Sequence, residues 1–335
     1  MRVLVTGGAG FIGSHFAKRL LAAGEDVRVL DKLTYSGNPL NLGPDVELVV
    51  GDICDPDAVA AAAAGCEAIV NFAAETHVDR SILGSVDVIQ TNVIGAYVLL
   101  EQARASGLRL LQVSTDEVYG DVLPGAPSST EADPVVPSSP YSAGKAGGDL
   151  QVLAHERTYG VDALITRGSN TYGPNQYPEK LLPLFLTNAL DGEPLPMYGD
   201  GGQIRDWLFV EDHCAGIELV LRQGRAGEIY NIGGGEEATN REITDLVLAQ
   251  TGADESLVRS VEDRPGHDRR YSLDTTKIRE HLGWAPRVRL ADGFPLTAAW
   301  YRENRSWWEP IKHSGGFREY YDKQYASRLA GQSLT

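Results

Sequence analysis

Short apolar runs alternate with helix-period stretches through the first half of the chain. Val3–Val5, Val27–Leu30, Val46–Val50, Ala68–Phe72, Leu108–Ser114 and Val161–Thr166 read as strands. Between them, helical patterns run from Gly13 to about Ala23, over Asp55–Ala63 and Val86–Ala103, and from Pro140 to Tyr159. Strands and helices alternating at short connection lengths predict βα units on a parallel sheet. From Asn170 the texture changes, and glycine, proline and asparagine become common. Pro183–Leu190 and Glu211–Leu221 read as helices, and Leu195–Tyr198, Asp206–Val210 and Glu228–Ile232 as strands. Thr239 to Glu242 looks like the N-cap region of a helix to about Gln250. The expected division is 1–170 for the sheet domain, 171–320 for a smaller mixed lobe and 321–335 for a tail. Some strands, such as that at Ile229, are expected to return to the main sheet. The aromatic segment from Trp300 reads as a packed or interfacial extension, with the last dozen residues disordered.

The first strand leads into Gly7, Gly10 and Gly13 and then a helix. Glycines there let the chain turn sharply and bring backbone N–H groups near a pyrophosphate at the helix N-terminus. The spacing GxxGxxG meets the usual dinucleotide fingerprint only loosely. Asp31 strengthens it: an acid ending the second strand can accept hydrogen bonds from ribose hydroxyls and repels a 2′-phosphate. This favours NAD over NADP, although Lys32 beside it could tolerate extra charge. Asp52 is placed to bond an adenine amino group while Ile53 packs on the ring. Ala73 and Ala74, at the end of the fourth strand, leave room for a cofactor above the backbone. The expected class is therefore α/β, a Rossmann-type doubly wound sheet with a mixed α/β C-terminal lobe.

With 335 residues, 42% of them hydrophobic, the chain can bury one large domain or two smaller ones. Its net charge of −16 argues against wholesale nucleic-acid binding. Cys54, Cys66 and Cys214 are too widely spaced for a disulfide scaffold or a metal cluster. No run approaches membrane-spanning length, so a soluble cytoplasmic protein without a metal is expected.

Three further stretches carry candidate chemistry. Thr76–Ser81, containing His77, follows a strand at the edge where parallel sheets bind ligands. Thr115, Asp116 and Glu117 end the fifth strand; the two acids can share a pocket only if regular strand has ended by Thr115. Tyr141 and Lys145, four apart, lie on one helix face. The ammonium is expected to lower the tyrosine pKa and make it a general base. In the second half, Arg205, Arg264, His267, Arg269 and Arg270 form a local basic set suited to a diphosphate, with solvent-exposed ion pairing as the plainer reading for one of the last two.

Together these stretches resemble the extended short-chain dehydrogenase/reductase superfamily, and more narrowly the dTDP-glucose 4,6-dehydratase family, from Met1 to about Pro310. The sharper marks are DKLTYSGN from Asp31, AAETHVDRS from Ala73, STDEVYG from Ser114, PEKLLPL from Pro178 and RPGHDRRY from Arg264. The resemblance implies a retained NAD, with Phe11, Ile12, Thr34 and Gly37 joining the residues above as its contacts. It implies Tyr141 as the base at the C4 hydroxyl, Thr115 as its assistant, Glu117 as the base at C5 and Asp116 as the acid at C6. His77, Asp79, Ser81, Asn170, Glu179, Lys180, Leu181, Arg205, Asn240, Arg264 and His267 are the implied contacts to the nucleotide sugar. Gly144 departs from the serine common in the family, inside the Tyr141–Lys145 turn. A homodimer pairing helices within Val86–Ala103 and Tyr141–Tyr159 is also implied. A nucleotide-sugar 4-epimerase or decarboxylase shares the glycine turn and the Tyr–Lys pair, but an epimerase needs no acid to eject the C6 hydroxyl. A non-catalytic NAD-binding regulator is the remote alternative.

Overall fold

A computed structural model describes residues 1–330. Seven parallel strands form the main sheet in the order β10-β6-β5-β4-β1-β2-β3. They are β1 (Arg2–Thr6), β2 (Asp26–Asp31), β3 (Glu47–Val50), β4 (Ala68–Asn71), β5 (Arg109–Thr115), β6 (Ala163–Gly168) and, after an excursion, β10 (Ile229–Ile232). The strand order reverses beside β1, which opens a crevice at the carboxyl edge between β1 and β4. Strands buried on both faces need apolar residues on both. Val3 and Val5 face a core with Phe16, Leu20, Ile217 and Val220, whereas Leu4, Leu110 and Ile165 face one with Val59, Leu99 and Val152.

The chain leaves this sheet after β6. It adds β7 (Asn170–Tyr172), β8 (Leu195–Tyr198) and β9 (Ile204–Phe209), returns for β10, then leaves again for β11 (Glu237–Thr239) and β12 (Val258–Val261). β11, β9 and β7 form a three-stranded sheet, and β12 pairs with β8. Tyr172, Phe185, Ile243, Phe294, Tyr301 and Trp308 fill the lobe's own core. Placing β10 in the main sheet follows the expected return at Ile229 and makes the chain cross between sheet and lobe three times.

Two helices bear directly on the site. Pro140–Tyr159 starts with a capping box between Ser139 and Ser142, has proline in its first turn, and ends at Gly160 in the left-handed region. A Cβ on Gly144, Gly147 or Gly148 would stand 2.6–2.8 Å from Val88, Val93 or the Asn92 carbonyl. The glycines let the Val86–Ile89 helix and its extension approach closely, and this accounts for Gly144 without any role in proton transfer. The expected Val86–Ala103 helix is interrupted by a π-helical turn over Gln90–Gly95 before Ala96–Ser106 resumes. Asn92, in that turn, accepts from Glu75 N at 2.9 Å and donates to Glu75 O at 3.1 Å, fixing the segment below β4.

The C-terminal segment corrects the expectation of disorder from residue 324. A π-helical turn over Asp322–Ala326 and a short helix over Ser327–Leu329 bury Gln324, Tyr325 and Arg328. Their aromatic and amphipathic side chains pack on the lobe, where Gln324 Nε2 donates to Tyr198 Oη at 2.6 Å. Residues 331–335 lie outside the described part of the chain. No helix among the described residues is long and apolar enough to cross a membrane.

Candidate active site

A cavity of about 290 Å³ follows the carboxyl edge of the main sheet. It is lined by every residue predicted as a cofactor contact, from the glycine turn through Asp31, Lys32, Thr34, Gly37, Asp52 and Ile53 to Ala73, Ala74, Tyr141 and Lys145. Gly7 has φ +69°, and a Cβ there would lie 2.5 Å from the Ala73 amide nitrogen. The Phe11–Ala22 helix has Gly10 as its N-cap, with no side-chain cap and no acid in its first turn. Its unsatisfied N–H groups and positive dipole end are thus open to an anion. Asp31 accepts from Ala9 N at 2.9 Å and Leu33 N at 2.8 Å. Burial raises its pKa and these two N–H bonds oppose that rise. Lys32 is ion-paired to Asp52 at 2.7 Å, which satisfies its charge inside the site. This cradle fits a dinucleotide with free ribose hydroxyls.

β5 ends at Thr115, as the paired acids require. Thr115 caps a 3₁₀ turn over Asp116–Tyr119, accepting from Glu117 N at 3.3 Å and donating to Asp116 Oδ1 at 3.1 Å. Asp116 Oδ2 and Glu117 Oε2 are buried and carry no hydrogen-bond partner among the described residues. Their environments differ. Burial raises Asp116 well above the carboxylate range, and Glu117 and Asp206 add to the rise. Burial also raises Glu117, but Arg264, Arg205 and Lys180 pull it back toward ionisation. Both carboxyls are raised, and the larger rise at Asp116 makes it the preferred holder of a proton within the pair.

Tyr141 corrects one expectation. Its pKa is raised, first by burial and then by Glu117, with only Thr115 opposing. Lys145 does not offset this: its Nζ donates to Val113 O at 2.6 Å, and burial lowers its own pKa to about 8. In a dry pocket beside an acid, spacing on a helix face does not by itself yield a phenolate.

A second cavity, of about 140 Å³, lies on the lobe side. Glu117, Asn170, Glu179 and Lys180 line both cavities, so the two meet at Glu117, while Asp116 lines only the first. His77, Asp79, Leu181, Arg205, Asn240, Arg264 and His267 line the second. Not all are free to bind. Arg264 donates to Asp79 Oδ1 at 2.9 Å and Tyr198 to Asp79 Oδ2 at 2.8 Å; against burial, His77 and then these two partners bring the Asp79 pKa down to about 2. Asp79 thus aims Arg264. His77 heads the Val78–Leu83 helix, and burial lowers its pKa. Arg205 is buried over the Tyr271 ring with no carboxylate bonded to it, leaving its charge for an anion. His267 bonds Asp263 at 2.6 Å, and burial lowers its pKa to about 4.

Ser81 lines neither cavity. Its hydroxyl donates to Val78 O at 2.6 Å and accepts from Tyr141 N at 3.2 Å, which makes it a support for the Tyr141 helix. Arg269 and Arg270 also lie outside both, paired with Asp200 and Glu237. Sequence reasoning missed Tyr198, Trp207, Tyr271 and Tyr325 on the wall of the second cavity. Tyr271 closes the RPGHDRRY stretch and was within reach; the others had no distinguishing spacing.

A glycine-turn dinucleotide cradle, a buried Tyr–Lys pair and a basic second pocket define an NAD-binding enzyme of the extended short-chain dehydrogenase/reductase class. The family model for GDP-mannose 4,6 dehydratase matches residues 4–297. A dTDP-glucose 4,6-dehydratase from Streptomyces niveus is 56% identical over 324 residues, covering 93% of this chain and 96% of that protein. A crystal structure of a dTDP-glucose 4,6-dehydratase from Streptomyces venezuelae, with NAD and TYD bound, superimposes with a TM-score of 0.91 at 56% identity, covering 93% of this chain and 100% of that one. A Thermus thermophilus UDP-glucose 4-epimerase in complex with NAD shares the fold at a TM-score of 0.86 and 34% identity, over 91% of this chain and 100% of that one. The chain belongs to the dTDP-glucose 4,6-dehydratase family.

Proposed function

We propose that the chain converts dTDP-D-glucose to dTDP-4-keto-6-deoxy-D-glucose and water, with NAD held as a recycled cofactor. The observation that carries this reading is the junction of the two cavities at Glu117, with Asp116, Thr115, Tyr141 and Lys145 lining the cofactor side of it. An epimerase shares the fold and the Tyr–Lys pair but has no use for two carboxyls of unequal proton affinity.

When bound, NAD accepts hydride from C4, returns it to C6, and brings a positive ring charge. Tyr141 takes the C4 hydroxyl proton, with Thr115 orienting that hydroxyl. The resulting ketone acidifies the C5 hydrogen, which Glu117 removes as a proton. Protonated Asp116 donates to the C6 hydroxyl, and water leaves; as C6 regains its hydride, Glu117 gives its proton back to C5. Lys145 orders the Tyr141 helix face through Val113 O and supplies positive charge near the phenol. Arg205, and Arg264 aimed by Asp79, hold the diphosphate, with Asn240 and His267 on the nucleotide side.

Purified protein given dTDP-glucose is expected to yield a 4-keto-6-deoxy sugar with no net reduced cofactor. Unchanged substrate, or conversion to the galactose epimer alone, would overturn the reading.

Homodimerisation is part of the same proposal. Val86, Ile89, Ile94 and Tyr97 stand exposed on the helical run from Val86 to Ser106, as do Leu150 and Tyr159 on the helix beside it. A contiguous apolar face of this kind suits an interface with a second copy. Sedimentation is expected to give a dimer for the wild type and a monomer for Leu150→Glu with Tyr97→Asp; a monomeric wild type removes the idea. Three free thiols suit a reducing, cytoplasmic setting, which enrichment in a membrane or secreted fraction would contradict.

A further inference from the structure

Arg80 touches none of the reacting groups, yet it joins three separate parts of the chain. Its Nε donates to Glu179 Oε2 at 2.8 Å, and that carboxylate is only 1% exposed. Its guanidinium carbon lies 4.1 Å from the ring centre of Tyr35 on one side and 4.1 Å from that of Tyr320 on the other. Tyr35 belongs to the turn whose Thr34, Ser36 and Gly37 line the cofactor cavity. Glu179 stands where the two cavities meet. Tyr320 is on the Gly315–Tyr321 helix, past residue 297, where the family model ends.

The same C-terminal region grips the cofactor side at a second point. Trp307 Nε1 donates to Asn41 Oδ1 at 2.9 Å, and Asn41 Nδ2 donates to Ala9 O at 2.9 Å, within the glycine turn itself. The segment therefore holds both ends of the 33–41 stretch that walls the cavity. A guanidinium between two ring faces is held by the quadrupole of each ring. It cannot swing away without leaving the Glu179 charge buried and unpaired, so the contact is either fully made or costly to open.

We propose that the helices after residue 304 form a strap that retains the cofactor, with Arg80 as the positioning residue that keys the 33–41 stretch to Tyr320. This rests on the functional reading above: a cofactor reduced and reoxidised within one turnover has to stay bound between the two hydride steps. The strap acts on dissociation of NAD and leaves the chemistry at the acid pair alone.

The test is exchange of bound NAD for labelled NAD in the purified holoenzyme. The Tyr320 hydroxyl has no hydrogen-bond partner among the described residues, and Arg80 lies over the ring. Tyr320→Leu is expected to speed exchange by about tenfold or more, the loss of one desolvated cation–π contact, and to leak reduced cofactor during turnover. Tyr320→Phe is expected to exchange like the wild type. Trp307→Phe, which keeps the ring but removes the N–H to Asn41, tests the second grip and is expected to speed exchange several-fold. Unfolding curves at saturating NAD separate a loosened strap from a misfolded chain. Wild-type exchange in both Tyr320→Leu and Trp307→Phe overturns the strap, as does a wild type that exchanges freely. A wild type that holds NAD but makes no keto sugar overturns the functional reading and leaves the strap standing.

Discussion

Glu117→Gln is expected to lower turnover about 10²- to 10⁴-fold, the usual contribution of a positioned base, while oxidation at C4 survives. The substitution keeps the shape and removes only the capacity to take a proton. Glu117 Oε2 has no hydrogen-bond partner among the described residues, so an amide there breaks no structural bond. Burial raises the pKa of the native carboxyl and Arg264, Arg205 and Lys180 oppose that rise, whereas the amide has no ionised form at all. The measurement is deuterium exchange at C5 from solvent, alongside the nicotinamide absorbance that reports C4 oxidation. Undiminished C5 exchange would remove Glu117 from the assigned role. Asp116→Asn provides the contrast: C5 exchange should persist and water loss should fail, because burial and Glu117 keep the native Asp116 protonated.

Tyr141→Phe is expected to be as damaging, about 10²- to 10⁴-fold, but to fail one step earlier. The phenyl ring fills the same buried volume, so unfolding should change little. The lost group is the acceptor for the C4 hydroxyl proton. Neither the nicotinamide absorbance change nor C5 exchange should then appear, since C5 becomes acidic only after C4 is a ketone. Normal C4 oxidation in this variant would assign that proton to another group. Burial and Glu117 raise the Tyr141 pKa, so its phenolate is unpopulated at neutral pH before ligands bind. Lys145, at about 8, stays largely charged at pH 7 and loses that charge above it. Rates limited by the C4 step are therefore expected to lose the ammonium's help as pH rises past 8.

The two variants fail in a fixed order, which ties the chemistry to a spatial arrangement. Asp116 and Glu117 can act on one hexose because β5 stops at Thr115 and a 3₁₀ turn follows. On a continuing strand the two side chains would point to opposite faces. The Thr115 hydroxyl enforces that stop by capping the turn, so a residue assigned to substrate also sets the geometry of its neighbours.

Much of the architecture was legible because its determinants are local. Apolar runs of strand length, helical patterns between them and three glycines before the first helix specify a parallel sheet and a phosphate cradle with little help from distant residues. The capping box at Ser139 and the proline after it likewise mark the helix that carries Tyr141 and Lys145. Residue identity also located the acids, the basic set and the change of texture at Asn170, since each needs only neighbours in sequence.

What only the tertiary structure decided depends on partners far along the chain. Asp79 serves Arg264, 185 residues away, and Ser81 serves Tyr141, 60 residues away. Desolvation is likewise a property of the assembled pocket: it raises Tyr141 where the i,i+4 ammonium alone would lower it, and it separates two adjacent carboxyls that look equivalent in sequence. The order of residues 305–330 belongs here too, because amphipathic aromatic segments fold only once a lobe exists to receive them. Local chemistry selects the elements and the reactive groups; burial and long-range contact decide which of those groups are free to react.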